Sequence, residues 1–223
     1  MNRGTPVSPD DFGRVIRHRW PDRLYHWVMA ITVLTLLGTA FLPIIGVKFA
    51  WVEAHWIAGV VSIGLVLMHI VRVSIWLDIW SMMIGPRDVC DTWSAARWAL
   101  GLRTDPPPLP GKYPLLQKFY HAAIVLTVVA LLVTGAMMMV RIDTPFWVRN
   151  PYWLSAETWG IVYVVHDLAA MMVLALVIVH IYFGLRPEKL WITRSMILGW
   201  ITRADYAAHH DPARWKLDTG ERG

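Results

Sequence analysis

Four uncharged runs, each about the length that a helix needs to cross a membrane, constrain this chain more than any other feature. They are Leu24 to Ile45, Ala54 to Val71, Phe119 to Val140 and Trp159 to Leu185, the last broken only by Asp167. A helix needs roughly 20 apolar residues to cross about 30 Å of hydrocarbon. Only helices and closed barrels satisfy their own backbone there. The expected fold is therefore all-α: an integral membrane four-helix bundle with spans at about 24–45, 54–72, 119–140 and 159–185. Composition agrees, since 56% of the residues are hydrophobic and 17% charged, where a soluble domain carries about a quarter charged residues.

The charged residues report topology. Five arginines precede the first span (Arg3, Arg14, Arg17, Arg19, Arg23), five cations lie between spans two and three (Arg87, Arg97, Arg103, Lys112, Lys118), and seven follow span four. The short loops on the other side hold Lys48, Arg141 and Arg149. The positive-inside rule places both termini in the cytoplasm of a bacterial inner membrane. The net charge of +5 is spent on that asymmetry, and no nucleic-acid partner is expected. A polar stretch before the first run and the lack of a cleavage pattern give no signal peptide.

Between spans two and three, Ile75 to Leu102 is Trp-rich but interrupted by Asp and Arg, which reads as an interfacial amphipathic helix. The segment Asp105-Pro-Pro-Pro-Leu-Pro-Gly stops it near Leu102, because proline cannot continue a helix. Pro43 and Pro145 are expected to close spans one and three, and Pro187 to start a surface helix. Residues 1–23 form an N-terminal arm and 186–223 a cytoplasmic tail, within a single domain of 1–223. Tryptophans bracket the spans as an aromatic belt. The lone Cys90 excludes a cysteine cluster, and no C-x-x-C-H stretch is present, so any haem would be held noncovalently.

Six histidines fall on the four spans. By depth, His26, His69, His121 and His180 lie toward the cytoplasm, and His55 and His166 toward the outside. An imidazole in hydrocarbon is expensive unless something satisfies it. His166 and His180 are fourteen residues apart, about four turns or 21 Å of rise, so they share a helix face at two depths. A helix offering imidazoles at two depths, facing others that do the same, can clamp two b-type haems, each iron taking a histidine from either side. The second ring nitrogen would be fixed by a backbone carbonyl or a carboxylate. The plainer reading is hydrogen-bonded core histidines or a proton relay, but partners at matching depth favour ligation. His55 is the outer histidine able to face His166. For His180 the spacing leaves His26, His69 and His121 open; His55 and His69 are also fourteen apart, which would suit a clamp built from spans two and four. Gly38, Gly59, Gly64 and Gly135 would admit a porphyrin or simply pack helices. The Met137–Met139 and Met171–Met172 runs read as packing, and Arg19, Arg23 and Arg72 as propionate partners or snorkelling cations. His18, His209 and His210 lie in polar segments and read as surface or partner-facing residues.

Several stretches together resemble the gamma, cytochrome b subunit of membrane formate dehydrogenases and the wider group serving hydrogenases and thiosulfate reductases. They are RLYHW (23–27), HWIAGVV (55–61) with Arg72 seventeen residues after His55, GKYPLLQK (111–118), His166-x13-His180, and SMILGWITRADYAAHHDPARW (195–215). The resemblance covers nearly the whole chain. It implies an inner haem on His26 and His180, an outer haem on His55 and His166, and a quinone site near the cytoplasmic face. Tyr113, Gln117 and His121 are the candidates for that site, His121 lying one turn after Gln117. The family usually has Asn where this chain has Pro114. The resemblance further implies an iron–sulfur partner joined to a catalytic oxidoreductase subunit, a quinone as electron carrier, and room for a higher oligomer of the complex.

The expected role is a dihaem cytochrome b that anchors a respiratory oxidoreductase and does not oxidise substrate by itself. One rival uses His55, His69, His166 and His180, as in quinol oxidoreductases. A rival of another class is a haem-free proton-coupled transporter.

Overall fold

In the computed structural model, residues 13–76, 82–106 and 108–215 are described. Arg3, residues 216–223 of the tail and part of the stretch after span two thus lie outside the described residues. The elements run β1 (Arg14–Ile16), α1 (Trp20–Phe41), α2 (Trp51–Trp76), α3 (Pro86–Ala99), α4 (Leu115–Met139), α5 (Ala156–Leu185), a 3-10 turn (Pro187–Lys189), α6 (Leu190–Leu198), β2 (Trp200–Thr202) and α7 (Arg203–His209). Apart from the two-stranded ribbon, the described fold is all-helical. Four helices, α1, α2, α4 and α5, are long and apolar enough to cross a membrane. The described chain divides into two compact units: one contains Leu24–Leu77 and Tyr120–Tyr182, the other the remaining segments.

The helical unit is inside-out relative to a soluble bundle. Ile31, Leu126, Val164 and Leu168 are exposed, while the buried positions are mostly small, Thr32, Thr39, Ala58, Ser62, Thr134 and Ala169, with Trp159, Val162 and Val173 beside them. Large side chains facing outward suit lipid, where helices gain nothing by hiding them from one another. Small residues inside let backbones approach. The helices also overrun the apolar spans. Trp20, Pro21, Asp22 and Arg23 precede Leu24 in α1, and α2 passes Arg72 to reach Trp76. A charge ends the hydrocarbon segment but not the helical hydrogen-bond ladder. The first turn of α1 is tied by the Arg19 amide donating to Asp22 Oδ2 at 3.2 Å.

The proline expectations divide. Pro187 does open the 3-10 turn. Span one closes at Phe41, before Pro43, through a turn ending in Gly46, whereas α4 stops at Met139, well short of Pro145. The helix expected up to Leu102 runs over Pro86–Ala99 and stops through Gly101, whose φ is +71°.

The other unit folds the tail against the arm. β1 pairs antiparallel with β2, Val15 opposite Ile201. Ile201 is fully buried with Val15 and Tyr206, and Trp191 and Trp215 pack around them. Thr202 caps α7, accepting from the Asp205 amide while the Asp205 carboxylate accepts from the Thr202 amide, a reciprocal box that satisfies two free helix-end donors. His210, read from sequence as a surface residue, is 4% exposed. It shares a 3.0 Å hydrogen bond with Arg17 and another of 3.0 Å with the Gly111 carbonyl. Arg17 lies against the faces of Trp191 and Trp215. Burial pushes the His210 imidazole below its ordinary range, opposed by the Gly111 contact. His209 is half-buried and stacks on Trp191, 4.6 Å between ring centres.

One glycine makes this arrangement possible. Gly199 ends α6 with φ +90°, and a Cβ there would meet the His18 carbonyl at 2.9 Å and the Arg23 guanidinium at 3.3 Å. Its carbonyl accepts from the Arg17 and His18 amides, so the residue joins α6, β2 and the arm. We expect Gly199→Ala to cost about 1–3 kcal/mol in backbone strain alone. It should open the tail to limited proteolysis while leaving the fragment that contains α2 and α5 protected; wild-type resistance of the tail would contradict this.

Candidate functional site

All six span histidines lie in the helical unit, and four of them form two facing pairs. His26 on α1 and His180 on α5 have ring centres 6.3 Å apart at an interplanar angle of 45°. His55 on α2 and His166 on α5 are 6.4 Å apart at 69°. On α5 the two members are separated by about 21 Å of helical rise, so the pairs stand at two levels.

The surroundings of the pairs differ. His55 Nδ1 is 2.7 Å from the Thr39 hydroxyl and His166 Nδ1 is 2.8 Å from the Thr134 hydroxyl. These hydroxyls were not foreseen from sequence; the Leu36 carbonyl is a further partner of His55, whereas Asp167 is exposed. Gly135, next to Thr134, lies so near His166 that a Cβ would meet Cε1 at 3.4 Å. At the other level, His26 Nδ1 is buried with no hydrogen-bond partner among the described residues. His180 stacks on Tyr120, 5.8 Å between ring centres, and the Tyr120 hydroxyl donates to the Leu176 carbonyl.

Thr39 and Thr134 escaped the sequence reading, yet a signal was present. Tyr25-His26 is followed thirteen residues after the histidine by Thr39, then by His55 and His69 fourteen apart; Tyr120-His121 is followed by Thr134 at the same interval, then by His166 and His180 fourteen apart. The contacts repeat with the register. Tyr25 stacks on His69 as Tyr120 stacks on His180, and each threonine holds the first histidine of the following span. The α1–α2 and α4–α5 pairs are built to one plan, and His55 and His166 occupy equivalent places in it.

Neither remaining histidine makes a ring contact with the two pairs among the described residues. His69 packs on Tyr25, 5.1 Å and 17° between rings, while His121 is half-buried one turn after Gln117 and within electrostatic reach of His69. Gln117 and Tyr113 belong to the other unit. Pro114 starts α4, its carbonyl accepting from the Gln117 and Lys118 amides. Arg23 donates to the Ile197 carbonyl. Of the other glycines flagged in the spans, Gly38 meets Leu42, and a Cβ on Gly59 or Gly64 would meet nothing within 4 Å.

The two pairs fit a metal held between imidazoles. At a metal–nitrogen bond of about 2 Å, two rings sharing one ion have centres roughly 6 Å apart. The orphaned His26 Nδ1 and the open space beside Gly59, one turn after His55, fit an added planar group equally well. Among the described residues, no three His, Cys, Asp or Glu side chains converge as they would around a bare ion. Two facing imidazoles would suit an iron porphyrin, whose macrocycle would supply the other four donors.

Comparison with known proteins points the same way. The family described as prokaryotic cytochrome b561 matches residues 17–199. The formate dehydrogenase cytochrome b556 subunit of Haemophilus influenzae is 26% identical over 221 residues, covering 91% of this chain and 82% of that protein.

Proposed function

Because the chain belongs to the prokaryotic cytochrome b561 family, we propose that it is a dihaem electron-transfer subunit anchoring a respiratory oxidoreductase in the bacterial inner membrane. It is a membrane protein of the haem b-binding, formate dehydrogenase-related kind; the haem count, ligands, partners and orientation are our reading. His26 and His180 hold an inner haem, and His55 and His166 an outer one. The observation that carries this is the approach of exactly these histidines, 6.3 and 6.4 Å between ring centres, near the separation for imidazoles sharing one metal. Facing contacts also favour His26 over His69 as the mate of His180, since the His26 ring is the one that faces it, at 6.3 Å.

Bound haem supplies one-electron exchange between ferric and ferrous iron, within a potential range set by ligands, burial and hydrogen bonds. The chain's own work is to hold the two groups at separate depths, exclude water with apolar helix faces, and bring a quinone to one of them. The charge asymmetry supports both termini in the cytoplasm, with α3 lying along the interface and the whole of 1–223 acting as one cytochrome domain. An iron–sulfur subunit, attached in turn to a catalytic subunit, delivers electrons on the outer side. Tyr113, Gln117 and His121 receive quinone near the inner one, with His121 as the proton donor.

This reading predicts that the purified full-length chain, reduced with dithionite and freed of excess reductant, is reoxidised by a menaquinone analogue. His121→Ala should slow that step about a hundredfold, as loss of a general acid does, and Gln117→Ala should slow it too, both at unchanged haem content. A wild-type cytochrome that the quinone cannot oxidise contradicts the quinone link. Unchanged rates in both variants contradict its location.

A further inference from the structure

Both outer imidazoles are tethered through Nδ1 to a buried threonine whose own proton is already committed. Thr39 Oγ1 lies 2.7 Å from the Thr35 carbonyl and 3.0 Å from the Leu36 carbonyl, as well as 2.7 Å from His55 Nδ1. Thr134 Oγ1 lies 2.6 Å from the Ala130 carbonyl, 3.3 Å from the Leu131 carbonyl and 2.8 Å from His166 Nδ1. The threonines are 5% and 7% exposed, so water is a poor competitor for either contact.

A hydroxyl has one proton to donate and two lone pairs that accept, while a carbonyl can only accept. With the hydroxyl proton given to the helix backbone, where Thr39 and Thr134 donate to the Thr35 and Ala130 carbonyls, the imidazole is the donor. That fixes the Nδ1–H tautomer of both rings and leaves Nε2 with the bare lone pair that a metal takes. Thr32 and Thr127, seven residues earlier on the same helices, make the same backbone contact, at 2.9 and 2.7 Å, with no imidazole bonded to them among the described residues. Back-bonding is thus a habit of threonine in helices; what singles out Thr39 and Thr134 is the histidine at their level. At the inner pair, His26 Nδ1 has no hydrogen-bond partner among the described residues, and His180 faces the rings of His26 and Tyr120.

An imidazole that donates through Nδ1 is a more basic ligand through Nε2. A more basic axial ligand favours the ferric over the ferrous state, and hydrogen bonding around the ligands is one of the levers by which a protein sets that balance. We propose that Thr39 and Thr134 are positioning residues of the outer site that orient both of its histidines and hold iron bound there at a lower reduction potential than iron at the inner pair. The proposal rests on the ligand assignment above. Its consequence is a built-in direction, because a single electron on the chain then resides preferentially at the inner, quinone-facing site.

Thr39→Val and Thr134→Val keep the side-chain shape and remove the hydroxyl, whereas Thr39→Ser and Thr134→Ser keep the hydroxyl. Potentiometric titration of the haem absorbance of the full-length chain resolves two components. We expect each valine variant to retain both haems and move only the lower-potential component upward, by about tenfold in ferric-over-ferrous preference, which is about 59 mV for one electron. The double variant should move it further, and the serine variants should restore the wild-type value. Both components at wild-type potentials in the double valine variant would overturn the proposal, as would a shift confined to the higher-potential component. Should a valine variant lose the outer haem altogether, its serine counterpart decides: recovered haem supports the hydroxyl's role, and continued loss overturns it. His55→Ala and His166→Ala separate the two levels of the argument. If neither loses a haem, the ligand assignment itself has failed; if both do and the valine variants titrate as wild type, only the threonine role has.

Discussion

His166→Ala is expected to leave a membrane-inserted chain that carries half the wild-type haem. The variant removes one of the two facing imidazoles of the outer pair, and His55 alone, 6.4 Å away across the gap between ring centres, would offer one donor where the proposed ligation uses two. The neighbouring groups are poor substitutes: Thr134 is a hydroxyl engaged with its own helix backbone, Asp167 is exposed, and Met171 and Met172 are exposed on the same helix. Insertion should survive, because the substitution adds no charge to α5, whose apolar run from Leu168 to Leu185 is untouched, and a buried imidazole contributes no apolar surface to lipid. His55→Ala should give the same phenotype from the opposite helix. In reduced-minus-oxidised spectra both variants should retain the component belonging to the inner site; full haem content in both would contradict the pairing.

The second large effect concerns a choice that the spacing of the histidines leaves open. His26→Ala should remove the inner haem and retain the outer one, while His69→Ala should keep both. His26 faces His180 at 6.3 Å and has an otherwise unpartnered buried nitrogen; His69 is stacked against Tyr25. Dithionite difference spectra with haem quantification separate the cases. Loss of a haem in His69→Ala with full content in His26→Ala would transfer the assignment to the clamp on α2 and α5.

The membrane helices were legible because their signal is local. Length and absence of charge mark a span without reference to any other part of the chain, and the four segments found that way are the four long apolar helices. Their ends were less legible, since Arg72 and Arg23 mark where hydrocarbon stops and not where helical hydrogen bonding does. The candidate site was legible to the extent that histidines in apolar runs are conspicuous. Depth alone put His55 opposite His166. For His180 it left three mates, and only the packing brings His26 to it. The threonines were hidden for the opposite reason: one hydroxyl in an apolar helix satisfies itself on the preceding turn and looks like filler, so its meaning emerges only when the Tyr-His and Thr spacing is seen twice. Least legible was the arm and tail. β1 and β2 are separated by more than 180 residues, each is three residues long, and the burial of His210 depends on Arg17 and Gly111 arriving from distant segments. No local period announces such a contact.

The number of haem groups per polypeptide, measured as pyridine haemochrome against quantitative amino-acid analysis of the purified full-length chain, tests the two-haem reading most directly. Two b-type haems with low-spin, bis-imidazole spectra are expected. One haem, or none after expression with ample haem supply, would contradict that reading.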